Sequence, residues 1–118
     1  MRLVLVDDQA EFLSLARARL TRSPGLEIVG EASSGEAALA LWPELRPEPE
    51  AVLLDVEMPG LDGFETARRL RQIAPTLRII LTSGAEERGY PALASSVGGV
   101  FLSKRSLSAE AVLRLLEQ

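Results

Sequence analysis

The sequence predicts an α/β domain, a doubly wound parallel sheet with helices on both faces. Five short apolar runs alternate with five longer amphipathic or mixed segments, as strands and crossover helices do in such a sheet. Two of the runs, Leu3-Val4-Leu5-Val6 and Val52-Leu53-Leu54, are apolar throughout, the pattern of strands covered on both sides. Both end in acid, the first in Asp7-Asp8 and the second in Asp55-Val56-Glu57. The carboxyl ends of parallel strands would gather these acids in one crevice, where their repulsion is costly without a cation. A metal-dependent site for an anionic group is the expectation.

The strands are expected at about 2–6, 27–32, 51–55, 77–82 and 99–102. A first helix from about Gln9 to Arg22 places Phe12, Leu13, Ala16 and Leu20 on its buried face and stops at Ser23-Pro24-Gly25. Ser33 and Glu36 have the spacing of a capping box for a second helix, which should end or kink where Pro43 follows Trp42. Arg46-Pro-Glu-Pro-Glu50 reads as an extended, charged connection. The third helix follows Met58-Pro-Gly-Leu-Asp-Gly63, with Asp62 as N-cap, Ala67, Leu70 and Ile73 facing inward, and Pro75 beyond its end. Gly89, Pro91, Ser95, Ser96 and Gly98 weaken the fourth, which is expected to be short, to start near Pro91 and to move relative to its neighbours. The last, from about Leu107, packs Val112, Leu115 and Leu116. With no linker, repeat or low-complexity tail in view, residues 1–118 are expected to form a single domain with no second domain encoded in this chain.

Composition narrows the chemistry. With no cysteine and no histidine, thiol catalysis, disulfides, zinc–thiolate sites and imidazole bases or ligands are excluded, leaving carboxylates, hydroxyls, ammonium groups and backbone. The net charge is −4 and the basic residues are scattered, so no direct nucleic-acid contact is expected. The N-terminal apolar run is far too short for a signal segment or a membrane span, and a cytoplasmic domain without membrane contact is expected.

Thr82 follows Ile79-Ile80-Leu81, and Lys104 follows Val100-Phe101-Leu102-Ser103. If the strand ends meet, Asp7, Asp8, Asp55, Thr82 and Lys104 form a phosphoryl site: the acids hold Mg²⁺, and the hydroxyl and ammonium bind the remaining oxygens. A carboxylate can itself be the nucleophile, giving an acyl phosphate. Each residue also has a plainer reading. Asp7-Asp8 could cap the first helix, Thr82 could be an ordinary strand residue, and Lys104 and Glu57 could be solvated. Trp42 reads as a packing residue at a helix end.

In these residues the chain resembles the response-regulator receiver domain of two-component signalling, over essentially its whole length. The marks are Asp7-Asp8, Asp55 within Leu53-Leu-Asp-Val-Glu-Met-Pro-Gly-Leu-Asp-Gly63, Thr82-Ser83 and Lys104. The segment from Glu57 to Gly63 looks most like the branch whose full-length members carry a LuxR/NarL-type helix-turn-helix. The resemblance implies a flavodoxin-like (βα)5 sheet in strand order 2-1-3-4-5. It makes Asp55 the phosphoacceptor, Asp8 a direct Mg²⁺ ligand, Asp7 a ligand through water or an orienting acid, and the backbone carbonyl of Glu57 a further ligand. Thr82 and Lys104 would bind phosphoryl oxygens, and Thr82 and Phe101 would form the switch. The donor would be a histidine kinase, a phosphotransfer protein or a small phosphodonor, and the activity self-modification rather than turnover as an enzyme. The output would pass through the face of helix 4, strand 5 and helix 5, to an effector domain or a homodimer.

Two departures from the family stand out. Arg105 follows Lys104 where many receivers have proline after a cis peptide, so either the strain of a non-proline cis bond is kept or the loop is trans and displaced. The glycine- and serine-rich fourth helix is the other. A Mg²⁺-dependent phosphohydrolase, haloacid-dehalogenase-like or Toprim-like, is the second class weighed. Asp55-Val-Glu57 in place of Asp-x-Asp, the early Asp7-Asp8 pair and the place of Lys104 fit it poorly. A flavodoxin-like cofactor site would need glycines and hydroxyls where Asp7-Asp8-Gln9 repels phosphate. A receiver-shaped module that binds partners without phosphorylation would not need the intact acids and lysine.

Overall fold

Five parallel strands form one sheet in the order β2-β1-β3-β4-β5, as expected. The computed structural model describes residues 1–85 and 88–118. The strands are β1 (Arg2–Val6), β2 (Glu27–Ala32), β3 (Ala51–Asp55), β4 (Arg78–Ser83) and β5 (Val100–Ser103). The helices between and after them are α1 (Ala10–Leu20), α2 (Gly35–Leu41), α3 (Gly63–Ile73), α4 (Tyr90–Ser96) and α5 (Ala109–Leu116). Every strand lies within a residue or two of its expected place.

The alternation of side chains along a strand builds two cores. Leu3, Leu5, Leu53 and Ile80 point to one face, where they meet Ala16 and Leu20 of α1 and Val112 and Leu116 of α5. Val4, Val6, Val52, Leu54 and Leu81 point to the other, against Ala38 of α2, Ala67 and Leu70 of α3, and Ala94 of α4. Burial on both faces explains why Leu3–Val6 and Ala51–Leu54 carry no polar residue before the aspartates that follow them.

Several helix details differ from expectation. The N-cap of α2 is Ser34, whose side chain accepts from the Ala37 amide at 3.0 Å. Ser33 is exposed, and the helix begins one residue later than a Ser33–Glu36 capping box requires. Glu36 instead reaches across to accept from the Leu61 amide at 3.4 Å. Asp62 caps α3 as expected, accepting from Glu65 N–H at 2.8 Å. Ile73 does not face inward; it is 55% exposed. At about 100° per residue, Ala67, Leu70 and Ala74 share one stripe and Ile73 falls roughly 100° off it. The chain turns at Pro43 into a short 3-10 turn, Trp42–Glu44, in which Trp42 is buried. The α4 helix is short and starts at Tyr90, while α5 begins two residues after Leu107, with Ser108 as its cap.

One glycine fixes the sheet to the helical layer. A Cβ on Gly63 would collide with the carbonyl oxygen of Asp55 and the Cα of Val56. The Gly63 amide donates to the Val56 carbonyl at 2.8 Å. The start of α3 is thus pressed onto the last residues of β3. Because the obstacle is backbone, Gly63→Ala is expected to cost about 2–3 kcal/mol or more, read as a lower midpoint in urea; an unchanged midpoint would show that the contact yields.

Candidate functional site

The two-residue period that sorts the core also aims the site. Asp7 continues the face of Leu3 and Leu5, Asp55 that of Leu53, Thr82 that of Ile80, and Lys104 that of Leu102, so all four project toward the α1 and α5 side. Ladder bonds run past the strand ends and hold these directions: Asp7 N–H donates to the Ala32 carbonyl at 3.1 Å and Val56 N–H to the Thr82 carbonyl at 2.8 Å. Register places Asp55 beside Thr82.

Asp7, Asp8 and Asp55 each present one carboxylate oxygen, and these atoms lie within 4.8 Å of one another. Asp7 and Asp55 are buried, at 1% and 3% exposure, whereas Asp8 is exposed. Lys104 Nζ lies 2.8 Å from Asp7 Oδ2 and 3.6 Å from Asp55 Oδ1. The first is an ion pair not aligned as a hydrogen bond, for Asp7 Oδ2 and Thr82 Oγ1 are buried without a hydrogen-bond partner among the described residues. Asp7 Oδ1 accepts from Gln9 N–H at 2.8 Å, so this aspartate also helps to cap α1. Asp55 Oδ1 accepts from Glu57 N–H at 3.4 Å.

Burial pushes the Asp55 carboxyl up to about 7, and the charge of Asp7 adds to the rise; Lys104 and the Glu57 amide oppose it, and Asp8 contributes a further push upward. A carboxylate held this way is electrostatically unsatisfied. Three oxygen donors from carboxylates fit a hard divalent cation, and Asp7 Oδ2, ion-paired to Lys104 but without a hydrogen bond, and the Thr82 hydroxyl leave acceptor and donor capacity for a metal and an anionic group.

The remaining residues singled out from sequence are placed differently. The Glu57 side chain, exposed and solvated on the plain reading, accepts from Ser83 Oγ at 2.8 Å, and Ser83 Oγ in turn accepts from the Ala85 amide at 3.0 Å. Phe101 pairs with Leu81 in register and sits on the opposite face from Thr82, half-buried, with its ring centroid 5.7 Å from that of Tyr90. Tyr90 lies 5.7 Å from Phe64 in the same way. The Lys104–Arg105 peptide is trans. A 3-10 turn, Lys104–Ser106, follows it, and the ammonium still reaches both buried acids. Sequence reasoning did not single out Tyr90 or give Gln9 and Ser83 a part in the site. Their only signal is adjacency, to Pro91, to Asp8 and to Thr82.

A family model for the response regulator receiver domain matches residues 3–115. With four acid, hydroxyl and ammonium positions converging at the end of a 2-1-3-4-5 sheet, the chain belongs to the response regulator receiver domain family of two-component systems. Among its relatives is the nitrate/nitrite response regulator protein NarL of Escherichia coli, 32% identical over 118 residues, covering 98% of this chain and 53% of NarL. Response regulator GacA of Pseudomonas aeruginosa is 30% identical over 122 residues, covering 100% of this chain and 54% of GacA. This chain thus spans about half the length of these curated relatives. The solved response regulator domain of Thermotoga maritima CheB superposes with a TM-score of 0.84 at 29% identity, covering 100% of this chain and 94% of that one.

Proposed function

We propose that this domain is a phosphorylation switch in which Asp55 accepts a phosphoryl group from a histidine kinase, a phosphotransfer protein or a small phosphodonor. The observation that carries the proposal is one buried carboxylate, Asp55, bracketed by two further acids and by the Lys104 ammonium. Asp8, Asp55 and the Glu57 backbone carbonyl, with Asp7 as a ligand through water or an orienting acid, would hold Mg²⁺, which when bound supplies positive charge to the carboxylates and phosphoryl oxygens.

An Asp55 oxygen attacks phosphorus in line. The new O–P bond forms as the bond from phosphorus to the donor breaks, and the leaving group keeps the electron pair. Lys104 neutralises developing charge on the equatorial oxygens, and the unpartnered Thr82 hydroxyl donates to one of them. Thr82 moving toward the phosphoryl group would shift the end of β4, beside which Phe101 of β5 packs against Tyr90 of α4. Through these rings the site would act on the face formed by α4, β5 and α5, where Leu93 and Val100 are exposed apolar residues suited to an effector domain or a second copy. No helix among the described residues is long and apolar enough to cross a membrane. A kinase-coupled role would suit a cytoplasmic domain.

Incubation with Mg²⁺ and acetyl phosphate is expected to add one phosphoryl group by intact mass; the gain should be prevented by removing Mg²⁺ before donor addition and be absent in Asp55→Asn. Equal modification of the Asn variant would overturn the assignment. Continuous turnover of a general phosphate ester would instead mark a hydrolase.

A further inference from the structure

We propose that Gln9 and Phe12 of the α1 start are positioning residues that hold the Lys104 ammonium over the two buried acids; this rests on the phosphorylation reading of the same site. A lysine side chain is a flexible four-carbon stem with a strongly hydrated end, and fixing it requires neighbours. At Lys104 the backbone turns into a 3-10 segment through a trans peptide, which leaves the direction of the stem to its contacts.

Those contacts come from α1. Lys104 Nζ donates to Gln9 Oε1 at 3.2 Å, across 95 residues of sequence. It also lies 4.4 Å from the centroid of the Phe12 ring. Asp7 Oδ2 at 2.8 Å and Asp55 Oδ1 at 3.6 Å complete the surroundings, and the side chain is only 13% exposed. The chemistry of the two α1 residues suits this task. An amide oxygen attracts an ammonium without adding another negative charge beside Asp7, Asp8 and Asp55. An aromatic face attracts a cation through its quadrupole while keeping water from it. Gln9 is set by its own backbone, whose N–H is held by Asp7 Oδ1, and Phe12 lies three residues later, on the same side of the first helical turn. The residues that begin α1 therefore link the metal-side acids to the lysine, so that ammonium and carboxylates are placed by one element.

Two measurements separate positioning from general packing. The first needs no phosphodonor: the ε-methylene protons of Lys104 should be shifted upfield by the Phe12 ring. Phe12→Leu should return them to ordinary lysine values, and Phe12→Tyr should retain the upfield shift. The second is the rate of phosphoryl gain from acetyl phosphate at saturating Mg²⁺. Phe12→Leu and Gln9→Leu are each expected to slow it by about threefold to tenfold, with Phe12→Tyr restoring it. In a Lys104→Met background the same two substitutions should change the residual rate by less than about twofold, because the group they position is gone. Equal slowing in both backgrounds, or no slowing in a wild type that does accept phosphate, would overturn the inference. A wild type that accepts no phosphate would overturn the function proposed above, and the lysine shift in Phe12→Leu would still decide whether the ring holds the ammonium.

Discussion

In Mg²⁺-free buffer the domain is expected to lose about 4 kcal/mol of stability as the pH rises from about 4 to about 8, and Asp55→Asn to remove most of that loss. The Asp55 carboxyl titrates near 3.8 in a free chain and is pushed up to about 7 in the folded one, first by burial and then by Asp7. Between those values the folded protein binds more protons than the unfolded chain, so stability falls with rising pH. Below about 4 both states are protonated and no penalty exists; above about 7 both are ionised and the penalty is complete. Other groups titrate in the same range, so the quantity to measure is the difference between wild type and Asp55→Asn in urea melts at each pH. That difference should grow through the window in favour of the variant, reaching about 4 kcal/mol at pH 8. Adding Mg²⁺ should shrink it by stabilising the ionised wild type. A flat difference would show that Asp55 is solvated well enough to ionise freely.

Lys104→Met is expected to move three quantities in directions that a simple folding lesion does not share. The ammonium lies close to two buried carboxylates, and removing it leaves them facing each other. Stability at pH 8 without metal should fall by about 2 kcal/mol, less than for a fully buried pair because the lysine keeps some solvent contact and Asp55 can take up a proton. Mg²⁺ affinity should rise about threefold to tenfold, because a competing positive charge has gone from beside the acids. Phosphoryl gain at saturating Mg²⁺ should nevertheless slow by as much as about 10²-fold, because on the proposed function the ammonium would neutralise the equatorial oxygens. Titration calorimetry with Mg²⁺ and intact mass against time measure the last two. Falling Mg²⁺ affinity would mean that the lysine supports the acids rather than competing with the metal.

Much of the site could be read along the chain because its groups stand at or just past the ends of apolar runs. Asp7, Asp55, Thr82 and Lys104 inherit their directions from the residues two positions earlier, so a period of two carries their convergence once the strands are parallel. The helices were legible where one signal dominated, as at Asp62 or in the weak α4. They were misread where a local signal competed with a tertiary one. Ser33 and Ser34 are equivalent as caps until Glu36 is drawn off to Leu61. Ile73 is apolar, but the ordinary helical step takes it off the stripe of Ala67, Leu70 and Ala74, so there the period and not a tertiary contact decides. Gln9 and Phe12 against Lys104, and Ser83 against Glu57, depend on which loops lie side by side across the sheet end, and no local pattern encodes that.

The pressing of Gly63 onto Asp55 bears on where a change of charge is felt. On that wall of the crevice the end of β3 has a helix terminus against its backbone and cannot recoil. On the other wall Ser83 leads into Gly84, where a Cβ would meet nothing within 4 Å among the described residues, and one side-chain hydrogen bond to Glu57 spans the gap. The two walls of the crevice are therefore unequally packed, tight where Gly63 meets Asp55 and open beside Gly84. On the proposed function, a phosphoryl group added at Asp55 would meet backbone that cannot give way on the β3 side, so the displacement it causes would fall on the β4 side.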